Sequence, residues 1–252
     1  MRSNATRRGR ITVRDDDARA LCAEARACAT RQRRRIDAVL SATPRDTDLP
    51  TARGKLVPTT IARSLLPGTW ARLGVEGTGS CFYESVAALL DLRNYWTLDE
   101  RARATLAHAF RCALATEATE AAVAAVTSES GDTTAPTDSG IVDLDGMSAA
   151  DASTVMARQL CTPTAWADEP DIRLTLRALH INIVFVNSSK GSRPFCGVKF
   201  RPDRPTGVIL WCNDERHFEP LVRIEGGQVL TMMRPADAVL AKVVRAATLA
   251  CA

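Results

Sequence analysis

A chain of 252 residues that is 46% apolar and 25% charged can bury a substantial core, as one domain with extensions or as two small domains. The net charge of +4 is mild, and no apolar run approaches the length of a bilayer span, so composition excludes a membrane-spanning helix and a strongly polyanion-binding chain as a whole. The charge is uneven: residues 1–45 hold twelve arginines against five acids, which leaves the rest close to neutral.

Residues 1–14 read as a flexible basic arm with no secretory apolar segment. A helix is expected from Asp15, with Ala18, Leu21, Cys22, Ala25 and Ala29 on one face. Arg33-Arg34-Arg35 closes it, either as a solvated helix end or as a contact for a polyanion. Pro44, Pro50 and Pro58 mark residues 43–58 as a linker. The expected division is therefore an N-terminal arm, helix and linker over 1–58, a main domain over 59–235 and a C-terminal helix over 236–252.

Within the main domain, Gly77-Thr78-Gly79-Ser80-Cys81 is a glycine turn that delivers a cysteine onto an apolar helix. Ser80 is the expected N-cap, and the helix end favours thiolate over thiol. A second helix is expected from near Thr97 through Leu114, with a further piece to Val126. Residues 127–146 are polar and read as a surface loop. Helices then follow at 148–160 and 171–179, with Pro170 in the first turn. Ile181–Val186 and Thr206–Cys212 read as strands, and the second returns through a four-residue loop into His217–Ile224. Gly226-Gly227 ends that hairpin, and a short strand is expected near Val229. Helices first and strands late give an α+β layout with helices packed on a small, mostly antiparallel sheet.

Eight cysteines, at 22, 28, 81, 112, 161, 196, 212 and 251, form no C-x-x-C pair. Free thiols in a reducing, cytoplasmic setting are expected, with no metal site and no cofactor. The glycine turn lacks the lysine of a phosphate-binding loop and the third glycine of a dinucleotide turn. It also lacks the flanking glycines of a serine nucleophile elbow.

The chain has three histidines. His108 sits mid-helix and His180 at a helix end. His217 opens a strand beside a loop, where rigid catalytic groups sit. His217 and Glu219 share a strand face, so the carboxylate can hold one ring nitrogen and leave the other for a thiol. Pro220 keeps Glu219 extended. Cys81, His217 and Glu219 are thus candidate nucleophile, base and orienting residue. Spacing alone also allows both cysteine and histidine to be structural. Glu84, one turn beyond Cys81, opposes thiolate formation wherever it points that way.

Three blocks resemble, in order, those of the ovarian-tumour (OTU) family of cysteine proteases. They are Gly77-Thr78-Gly79-Ser80-Cys81-Phe82-Tyr83, then Trp166-Ala167-Asp168-Glu169-Pro170-Asp171-Ile172, then Val208-Ile209-Leu210-Trp211 with His217-Phe218-Glu219-Pro220-Leu221. The resemblance spans roughly residues 73–225. It implies a papain-like OTU fold and hydrolysis of isopeptide or peptide bonds after the C-terminus of ubiquitin or a ubiquitin-like protein. It implies Cys81 as nucleophile, His217 as base and Glu219 as orienting residue, with backbone N–H groups of Thr78, Gly79, Ser80 and Cys81 holding the oxyanion. Ubiquitin conjugates are the expected partners, in the cytoplasm, or in a host cell's cytoplasm or nucleus for a viral or bacterial effector. Thr78 and Ser80 depart from the family's aspartate and asparagine, so a weak enzyme or an idle ubiquitin-binding module is the alternative.

Overall fold

The computed structural model describes residues 51–60, 66–128, 144, 146–187, 195–196, 200–212 and 217–242. The expectations for the basic arm, the helix from Asp15, Arg33–Arg35 and most of the polar stretch 127–146 lie outside these residues. In chain order the elements are β1 (Leu56–Thr59), β2 (Thr69–Leu73), α1 (Cys81–Leu90), α2 (Leu92–Thr97), α3 (Glu100–Ala115), α4 (Glu120–Ser128), α5 (Ala149–Cys161), α6 (Glu169–Ala178), β3 (Asn182–Asn187), β4 (Phe195–Cys196), β5 (Thr206–Cys212), β6 (His217–Glu225) and β7 (Gln228–Leu230). Residues 238–242 are also helical.

The fold is α+β. The sheet runs β1-β2-β6-β5-β3-β4, with β7 added to β6. Among the described residues only β3 and β5 run parallel, and the other pairings are antiparallel. Period-2 alternation sorts the strand side chains onto two cores. Ile183, Phe185, Ile209, Trp211 and Phe218 pack under the helices, whereas Val184, Val186, Val208, Leu210 and Leu221 pack with Leu66, Trp70 and Leu240 on the other face. The hairpin pairs Cys212 with His217, as its four-residue loop requires. Gly226 and Gly227 take φ of 57° and 74°, the left-handed turn that only glycine adopts cheaply.

Two expectations change. The linker reading fails over residues 51–58. Pro58 does not keep the chain out of the sheet, because β1 is an edge strand and spends no central ladder bond on it. The long helix expected from Thr97 starts instead at Glu100, because Asp99 caps it by accepting from the Ala102 N–H. Its buried stripe is Ala107, Arg111 and Leu114, whereas Leu106 is exposed.

The register of β2 on β6 stops at Arg72 opposite Leu221. Among the described residues, the half of β6 that carries His217 and Glu219 is therefore flanked within the sheet by β5 alone. Beyond β2 the chain turns through residues 74–80 beside that open flank and enters α1. The topology thus sets the glycine turn against the histidine strand.

Candidate active site

Cys81 is the first residue of α1, with Ser80 at the N-cap position. The Ser80 hydroxyl does not cap the helix; it donates to the Pro163 carbonyl at 3.0 Å. The turn is held from outside. A Cβ on Gly79 would lie 2.4 Å from the Thr164 carbonyl oxygen, so only glycine lets the turn pack on the 163–165 backbone. Arg111, wholly buried, supplies the second clamp. Its Nη1 donates to Gly79 O at 2.9 Å and to Ala165 O at 2.8 Å, its Nε to Leu160 O at 2.7 Å and its Nη2 to Gln159 O at 2.9 Å. The guanidinium also lies 4.4 Å from the Tyr83 ring centroid. One side chain thereby joins the nucleophile turn to the end of α5 and the loop after it.

That loop leads into α6, whose start explains the Trp166–Ile172 block. Asp168 accepts from the Asp171 N–H at 3.1 Å and the Asp171 carboxylate faces back to the Asp168 N–H, a capping box. Gln159 donates to both carboxylates, at 3.0 and 2.9 Å. Burial raises the Asp171 carboxyl, with the Asp168 charge adding to it. Trp166 packs partly buried against the core as an anchor.

On β6, His217 is buried at 1% exposure and its Nε2 lies 3.3 Å from Glu219 Oε1. The two share a face, as alternation requires. Neither ring nitrogen makes a well-aligned hydrogen bond, which is uncommon for a buried imidazole. A carboxylate can only accept, so a neutral ring would carry its proton on Nε2 and leave Nδ1 as the acceptor. Nδ1 faces the nucleophile turn: a Cβ on Gly77 would lie 3.9 Å from it. Cys81 meets the backbone N–H of Phe218, the residue beside His217, and Ser85 on the next turn donates to Phe218 O at 3.2 Å.

Glu219 is itself fully buried and held on both oxygens. Arg72 Nε donates to Oε2 at 2.7 Å and the Thr51 hydroxyl donates to the same oxygen at 2.9 Å, while the Thr51 N–H donates to Oε1. Burial alone would raise this carboxyl. The contacts from His217, Arg72 and Thr51 outweigh it and hold the group below its ordinary 4.5. Glu219 is thus an anion at neutral pH beside the imidazole.

The thiol behaves otherwise than its helix position suggests. Burial pushes Cys81 from 9.0 up to about 12. The N–H groups of Phe218 and Phe82 pull the other way, and Glu84 pushes further up. A helix end is worth about 1 kcal/mol or less, under a tenfold change in acidity, so burial wins. At rest Cys81 is a thiol. The Cys81 N–H, expected to hold an oxyanion, donates to Thr78 O at 3.0 Å, and the Ser80 N–H lies 3.4 Å from the Thr78 hydroxyl. Of the other histidines, His108 is exposed and His180 is exposed with φ of 52°, at the turn after α6.

Thr51, Arg72 and Arg111 are not among the site residues expected from the sequence. A signal existed for Arg111, which occupies the buried stripe of α3 between Ala107 and Leu114 at helical spacing. Arg72 likewise sits within the buried strand β2. Among the described residues no group of three or more His, Cys, Asp or Glu could hold a metal ion, and no helix is long and apolar enough to cross a membrane.

No protein-family model and no curated protein sequence matches the chain. Among solved structures it is similar to the OTU domain of OTUD1, at 16% identity and a TM-score of 0.36, over 60% of this chain and 85% of that one. It is similar to the viral OTU domain protease from Farallon virus at 16% identity and a TM-score of 0.35, over 69% of this chain and 94% of that one.

Proposed function

We propose that the protein is a cysteine-dependent hydrolase that cleaves isopeptide or peptide bonds after the C-terminus of ubiquitin or a ubiquitin-like protein. The observation that carries this reading is the buried His217 imidazole. It lies against an ionised Glu219 at Nε2, with Nδ1 aimed at the turn that bears Cys81. A buried imidazole without a well-aligned partner is uncommon, and here its free side faces that turn.

In this reading the thiol proton passes to His217 Nδ1 as Cys81 Sγ attacks the carbonyl carbon. The resulting imidazolium is stabilised by Glu219. The C–N bond breaks as His217 returns the proton to the departing lysine amine, leaving a thioester. Water then attacks the thioester and gives its proton to His217. The C–S bond breaks, the carboxylate leaves and the thiol is restored. Backbone N–H groups of the Thr78–Cys81 turn hold the oxyanion, which requires the bond from the Cys81 N–H to Thr78 O to open.

The buried thiol and that occupied N–H favour one alternative, an idle module that binds ubiquitin without turnover. Release of a fluorogenic amine from the ubiquitin C-terminus separates the two. Turnover by wild type that falls about 10³-fold in His217→Ala supports the hydrolase. Ubiquitin binding with no turnover at any pH supports the idle module.

A further inference from the structure

Residues 51–55, read from sequence as linker, reach both buried carboxylates beside the site. Thr51 holds Glu219. Arg53 grips Glu84 as a fork, Nε to Oε1 at 2.9 Å and Nη2 to Oε2 at 3.0 Å, and reaches Glu76 Oε2 through Nη1 at 3.1 Å. The segment is docked on backbone: Gly54 N–H donates to Gly74 O at 2.7 Å and Gly74 N–H to Lys55 O at 2.8 Å. A Cβ on Gly74 would lie 2.1 Å from Ala52 O, so glycine is required for this approach.

Glu84 is three residues beyond Cys81 on α1 and only 1% exposed. The groups facing it are Arg53, the Tyr95 hydroxyl, which donates to Oε1, and the Glu76 N–H at 3.3 Å. Arg103 stacks over the Tyr95 ring, 4.8 Å from its centroid. Arg53 is therefore the one cation in direct contact with this carboxylate among these groups. Glu84 and the His217–Phe218 strand end are the neighbours that bias the Cys81 thiol from α1 and β6. An uncancelled carboxylate so placed would hold the thiol protonated.

We propose that Arg53 is a positioning residue for the nucleophile. By fixing and pairing with Glu84 it offsets part of that carboxylate's field at Cys81, which makes segment 51–55 a working part of the site. This rests on Cys81 being the nucleophile, so the test reads the thiol and not turnover. In the full chain, the rate of iodoacetamide alkylation at Cys81 is followed by mass spectrometry of its peptide between pH 7 and 10.

Arg53→Gln is expected to slow alkylation at pH 8 about tenfold, one pKa unit. Adding Glu84→Gln should restore the wild-type rate to within about twofold, whereas a purely structural role for Arg53 would leave the double variant slow. A wild-type rate in Arg53→Gln overturns the proposal. So does a double variant as slow as the single one. Should Arg53→Gln fail to fold, the double variant, a neutral pair of similar volume, carries the test alone. It should match wild type, and a tenfold deficit contradicts the proposal. Absent turnover on ubiquitin with this alkylation pattern intact would refute the hydrolase reading and leave standing only the effect of Arg53 on the Cys81 thiol.

Discussion

The two sides of the site are organised by different physics. On the strand side, charge does the work: Glu219 is flanked by Arg72, Thr51 and His217 and stays ionised although wholly buried. On the helix side, Arg111 holds the turn through carbonyl oxygens, Gly79 packs on bare backbone, and the Cys81 thiol is kept neutral by burial. The imidazole side is charged in advance, and the thiol side is placed but neutral. In the proposed hydrolase the thiolate would form only as the imidazole takes its proton, so geometry at the turn would matter more than the resting acidity of the thiol.

Breaking the helix side should have the largest effect. Arg111→Met leaves several buried carbonyl groups without a donor, at about 3 kcal/mol or more in total. Thermal unfolding should fall by roughly 10 °C, which calorimetry would read. Breaking the strand side should spare stability more and chemistry less. Glu219→Gln keeps the shape but loses the charge that stabilises an imidazolium. It should lower kcat by about a hundredfold with KM little changed, in steady-state kinetics.

The contrast also fixes a pH dependence. A thiol raised from 9.0 to about 12 in the fold contributes stability that is present below pH 9 and lost as pH rises towards 12. Tyr83 and Tyr95 are raised too, but they are common to wild type and variant. Between pH 8 and 10.5 wild type should therefore lose about 2 kcal/mol more than Cys81→Ser in urea unfolding. Equal slopes would mean that the thiol is not buried in solution. The smallest effect should come from Thr78→Ala. Its hydroxyl lies 3.4 Å from the Ser80 N–H, a long contact, so turnover should change less than about threefold.

Much of the frame was legible in the residues. The glycine turn, the α6 start with Pro170 and the Cys212–His217 hairpin carry local signals of turn chemistry, capping and alternation, and these act within a few positions of the chain. The pairing of His217 with Glu219 follows from strand period alone. What stayed hidden is what depends on distant parts of the chain meeting. Thr51 and Glu219 are 168 positions apart, and Arg72 and Glu219 are 147 apart, with no local pattern to link them. The thiol's acidity was misjudged for the same reason. A helix end is visible in sequence, whereas the burial that raises the Cys81 thiol depends on how the whole chain packs around it. Glu84 looked harmful to the nucleophile because its counterion lies 31 positions away, in a stretch whose prolines suggested a linker.

The most direct test uses ubiquitin carrying an electrophile in place of its C-terminal carboxylate. A cysteine hydrolase built on Cys81 and His217 should form one covalent adduct on wild type, mapped by mass spectrometry to Cys81, absent in Cys81→Ala and strongly slowed in His217→Ala. An adduct that persists in Cys81→Ala, or no adduct on folded wild type, would contradict it.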